Sequence, residues 1–161
     1  MNKLADKLRK KLMRDPFEPV MAPFFDRFPE IAEKETLSVN IIQDGTYDLP
    51  RGKYYFLESY CKRKIESCDC RRVFLNVWNG VEMLCTIGYG WEGKEYYARW
   101  FGPLGSDNEL VSDAKGPILE NSGYNSKYAR QLLQLFSEKI MTDSDYIDRI
   151  KEHYALFKSK S

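Results

Sequence analysis

Three of the chain's four cysteines, Cys61, Cys68 and Cys70, fall within the stretch YCKRKIESCDCRR, residues 60–72. Thiolates are soft donors suited to zinc, and a structural zinc site takes four ligands in a tetrahedron. The single residue between Cys68 and Cys70 points both sulfurs to one side of an extended backbone, and a loop can return Cys61 to meet them. Three sulfurs leave one position, for which the candidates are Cys85, the only histidine (His153), a carboxylate or water.

Cys85 is set aside on hairpin geometry. If Asn79-Gly80 forms a two-residue turn, Cys85 faces Phe74, about 13 Å of strand away from Cys70. Sulfurs sharing one zinc lie no more than about 4.6 Å apart. Met83, Cys85 and Ile87 also share one strand face, as a buried thiol used as a small hydrophobe would. His153 falls between Ile150 and Phe157 on the expected last helix. A histidine at that edge of an apolar stripe is commonly an ordinary boundary residue, but here it is also available to the sulfurs. Bound there, a zinc ion would clip the C-terminal helix to the sheet. Disulfides would need an oxidising compartment, and a redox site usually shows C-x-x-C at a helix start. Thiols without a ligand remain the plain alternative.

Tyr60-Cys61, then C-D-C-R-R at residues 68–72 running into an apolar strand, I-G-Y-G-W at 87–91, and H-Y-A-L-F at 153–157 resemble an uncharacterised prokaryotic protein family. The resemblance covers residues 37–158. It implies a shared metal site at Cys61, Cys68, Cys70 and His153 and carries no activity with it. The spacing from Cys61 to Cys68 is longer here than in the family pattern.

Other chemistry is sparse. GYGWEG, residues 88–93, matches G-x-G-x-x-G, and Asp113 follows at a dinucleotide-like distance. The preceding strand, however, belongs to an antiparallel hairpin rather than a parallel βαβ unit, so glycines relieving crowding by Tyr89 and Trp91 explain the motif better. Carboxylates at Glu58, Asp69 or Glu92 would have to serve any hydrolysis, aided by a metal-bound water. Arg71 and Arg72 could contact phosphate, or could neutralise thiolates and face solvent. Tyr96, Tyr97, Trp100 and Phe101 could stack bases, although burial accounts for them more simply.

The elements that must position these residues are legible in the patterning. Leu4, Leu8 and Leu12 predict a basic amphipathic helix over 2–14, read as docked by its leucines rather than bound to a membrane or nucleic acid. Residues 1–36 are expected to wrap the core as a helical extension, with a short helix after Pro29. Period-two runs predict strands over 38–43, 53–61, 71–78 and 81–89, the last two joined at Asn79-Gly80 in a type I′ hairpin. A short helix over 93–101 and two longer ones over 126–140 and 144–158 complete the chain, the latter two capped at Ser126 and at Asp143 or Ser144. Strands followed by helices indicate an α+β fold with a central antiparallel sheet and a C-terminal helical pair. Residues 37–161 would form the metal-binding core of a single domain.

With 25 basic and 24 acidic side chains, the net charge of +1 supplies no field for nucleic acid or anionic membranes. No run reaches the ~20 apolar residues of a membrane span, and the N-terminus lacks the apolar stretch of a secretory signal. A cytoplasmic location is the expectation. The expected function is that of a binding or interaction module built on a structural zinc site, with a zinc-dependent hydrolase and a nucleic-acid-binding zinc module as alternatives. Whether the chain is an enzyme, and what its partner is, stay open; a protein partner fits better than a nucleic acid.

Overall fold

A computed structural model describes residues 21–104, 108–121 and 123–160 of the chain. The helix expected over 2–14 lies outside the described residues. Six strands form one antiparallel sheet: β1 (Met21–Pro23), β2 (Leu37–Ile41), β3 (Gly52–Cys61), β4 (Arg72–Trp78), β5 (Met83–Gly90) and β6 (Ile118–Leu119). β3, β4, β5 and β6 follow one another across the sheet, while β1 and β2 both pair with the outer edge of β3. Two short helices, α1 (Phe24–Arg27) and α2 (Pro29–Glu35), carry the chain from β1 to β2, and two more, α3 (Lys94–Ala98) and α4 (Glu109–Lys115), lie between β5 and β6.

Alternation on the strands decides which face is buried. Phe56, Tyr60, Val73, Leu75, Val77, Cys85 and Ile87 belong to the core cluster, and Glu58 is buried in the same phase of β3. The helices supply the opposite wall. Ala129, Leu132 and Leu135 are buried on α5 (Ala129–Leu135), which continues through a π-turn carrying Phe136 and Ile140. α6 (Ser144–Ser159) buries Tyr146, Ile150, His153, Tyr154, Phe157 and Lys158. The Asp143 side chain caps α6 by accepting from the backbone N–H groups of Asp145 and Tyr146. The α+β architecture with its antiparallel sheet and C-terminal helical pair is therefore as the patterning indicated. Among the described residues, no helix is long and apolar enough to cross a membrane.

The β4–β5 hairpin differs from expectation in its turn. The Asn79 carboxamide accepts from the N–H groups of Val81 and Glu82, at 2.9 and 3.0 Å, and Asn79 N–H donates to Glu82 O. This side-chain capture lengthens the connection beyond the two residues of a type I′ turn. Trp78 pairs with Met83, and a bulge beside it sets Cys85 opposite Val77 rather than Phe74. The shift moves Cys85 farther from Cys70, so its exclusion from the sulfur trio gains force. Burial alone pushes the Cys85 thiol up to about 12.

Candidate metal centre

Cys61 is the last residue of β3, and its Cα pairs with that of Met21 on β1. The chain then leaves the sheet and makes one helical turn, in which Ser67 and Cys68 N–H both donate to Lys64 O at 2.9 Å. That turn brings Cys68 back over the strand end. Arg71 adopts a left-handed backbone conformation at φ 48°, which redirects the chain into β4. The result gathers the Sγ atoms of Cys61, Cys68 and Cys70 within 4.8 Å of one another. Two sulfurs on one zinc are at most about 4.6 Å apart, so a single ion can span this trio with little adjustment.

The rest of the molecule braces this loop at the Arg63, Cys68, Asp69 and Arg71 backbone. From α6, Lys158 Nζ donates to Arg63 O at 2.7 Å and Cys68 O at 2.9 Å. The Tyr154 hydroxyl donates to Asp69 Oδ1 at 2.8 Å and accepts from Arg71 N–H. From α3 (Lys94–Ala98), the Tyr96 hydroxyl donates to Asp69 O and the Tyr97 hydroxyl to Arg71 O. Arg99 adds a bond to Asp69 O at 2.9 Å. These aromatic residues thus hold the cysteine loop, which accounts for them without a stacking ligand.

The glycines of residues 88–93 serve the same packing. A Cβ on Gly90 would collide with the phenol of Tyr97, and one on Gly88 with the Glu120 carboxyl. Tyr97 is fully buried and cannot swing aside. Gly90→Ala is expected to cost about 1–3 kcal/mol of stability, the usual penalty of overpacking, read as a lowered urea midpoint. An unchanged midpoint would show that Tyr97 can yield.

The three thiols differ sharply in acidity. A hydrogen bond from Cys70 holds Cys61 down to about 5 against the opposing effect of burial, helped by the Arg63 backbone and the Lys158 charge. Cys70 also lowers Cys68, to about 7, again with Lys158 assisting. Cys70, bonded to both neighbours, is driven far up. Cys61 and Cys68 are thus shifted toward thiolate, the form that binds metal.

His153 does not join the sulfurs. Its Nδ1 meets Glu58 Oε1 at 2.7 Å and its Nε2 meets Glu35 Oε2 at 2.9 Å, while its ring stacks on Phe24 with centroids 4.3 Å apart. Both nitrogens are therefore committed to carboxylates. Burial acts against the imidazolium, but hydrogen bonds and charge from Glu58, then Glu35, outweigh it and raise the His153 pKa above 6.5. The Tyr60 hydroxyl also donates to Glu58 Oε1, at 2.5 Å, which completes a buried chain from Tyr60 to the Glu35 surface. The residues of α6 that bond the cysteine loop are Tyr154 and Lys158, on the same helix face as Ile150.

Other expected site residues are similarly occupied. Arg71 pairs with Asp69 at 3.0 Å and with Glu92 at 3.3 Å, and Arg72 pairs with Glu120 at 3.2 Å. No protein-family model, no curated protein and no solved structure matches the chain.

Proposed function

We propose that Cys61, Cys68 and Cys70 hold a zinc ion and that the protein is a metal-stabilised binding module. The supporting observation is the convergence of three sulfurs, from a strand end and the loop that follows it, to single-ion spacing. The ion would tie the 62–71 loop to β3, with a fourth ligand from outside the described trio, such as solvent. So fixed, the loop presents Lys62, Arg63, Lys64 and the 46% exposed Ile65 to a partner. An apolar side chain on a braced basic tip is suited to a protein with an acidic, partly apolar surface.

A catalytic role gains less support from the geometry. Asp69 and Glu92 bond Arg71, and Glu58 is buried against His153, so these carboxylates are engaged rather than poised toward a metal-bound water. The phosphate-binding reading loses Arg71 and Arg72 to ion pairs in the same way. Elemental analysis of the purified protein tests the proposal. One equivalent of zinc is expected in the parent and none in Cys68→Ser; a parent free of tightly held metal would overturn it.

A further inference from the structure

Lys158 is an unusual buried cation. It is 5% exposed, its ammonium donates to the carbonyls of Arg63 and Cys68, and its Nζ lies 5.5 Å from the centroid of the Tyr154 ring. Among the described residues no carboxylate pairs with it. A buried ammonium without a counter-charge is costly, since neutral carbonyls only partly replace water. It touches the Cys68 carbonyl, and its charge favours the thiolate of both Cys61 and Cys68.

The charges can be counted. Three thiolates around a divalent ion leave one negative charge, which a single ammonium cancels. A trivalent ion on the same thiolates is already neutral, so that Lys158 would leave the assembly positive, and a monovalent one would leave it negative even with the ammonium. We propose that Lys158 is a positioning residue of the metal centre, whose charge makes the half-buried assembly neutral with a divalent thiophilic ion and so selects that class. The inference rests on the metal site proposed above and identifies what tunes it. It also assigns the α6 contact with the cysteine loop to an ammonium rather than an imidazole.

The test compares two ions of opposite expectation on the full chain and on Lys158→Gln, which keeps a donor for the two carbonyls but no charge. Zn(II) affinity is measured against a chromophoric chelator, and arsenite affinity by thiol–arsenic absorbance. Arsenous acid condenses with three thiols, forming three As–S bonds, breaking three As–O bonds and releasing three waters without change of oxidation state. Losing a unit charge a few ångströms away at an effective dielectric of about 20 should weaken Zn(II) by about a hundred- to a thousandfold. Arsenite binding should be unchanged or tighter, because its product is neutral without the ammonium. Lys158→Met serves as a second variant should Gln fail to fold. Equal loss of both ions would show Lys158 to be a simple tether and overturn this inference alone. Failure of the parent to bind Zn(II) would overturn the metal reading beneath it.

Discussion

His153→Ala is expected to cost about 3–5 kcal/mol of folding free energy, the usual penalty for leaving one member of a buried ion pair alone. The side chains of His153 and Glu58 are each only 2% exposed, and Glu58 is enclosed by Tyr60 and the imidazole. Removing the ring strands that carboxylate in the core and opens a void against Phe24. The Glu35 contact adds little, since that carboxylate is 44% exposed. Zinc content should not change, which separates this role from metal ligation. The pH dependence follows from the raised imidazole pKa. Its contribution is fully present below about 6.5 and is lost as pH climbs through the higher value of the folded state. Urea midpoints measured from pH 5 to 9 should fall across that window in the parent and run flatter in the variant. A loss below about 1 kcal/mol together with loss of metal would reverse the assignment.

Removing the ion should have a comparable effect. A ligand held at a thousandfold above its Kd stabilises the folded state by about 4 kcal/mol. For a chain of 161 residues, that corresponds to roughly 10 °C in Tm at about 2–4 °C per kcal/mol. A strong chelator should lower Tm by that amount in the zinc-loaded protein, and added zinc should restore it. Cys85→Ser provides the control: its thiol stands apart in the core, so the variant should respond to the chelator like the parent. Identical melting of loaded and stripped protein would show that the ion does not hold the fold.

The sheet was legible because period-two patterning and β-branched or aromatic residues act locally. The turn was not, because one carboxamide captured two backbone N–H groups and changed its length, a choice the Asn-Gly pair does not record. The sulfur trio was legible from spacing alone. The histidine's place is not written in the cysteine spacing, because its partners are the carboxylates of Glu58 and Glu35. Glu58, however, sits in the inward phase of Tyr54, Phe56 and Tyr60, so a carboxylate was due to be buried and in need of a cation. Lys158 carried a similar signal: it falls four residues after Tyr154 and eight after Ile150, on a helix face otherwise apolar. Charged residues in buried phase, one on β3 and one on α6, were the marks of both polar networks.

β3 spans ten residues rich in tyrosine and phenylalanine, and a strand of such β-propensity can recruit a neighbouring chain if its edge is bare. Its outer rim is shielded in two pieces, Met21–Pro23 beside the cysteine end and Leu37–Ile41 beside the other. The helical detour between them makes a single polypeptide its own guard rail. Whatever loosened the three-residue piece would bare strand backbone next to Cys61, so the sulfur trio and the shielding of that edge share one short segment.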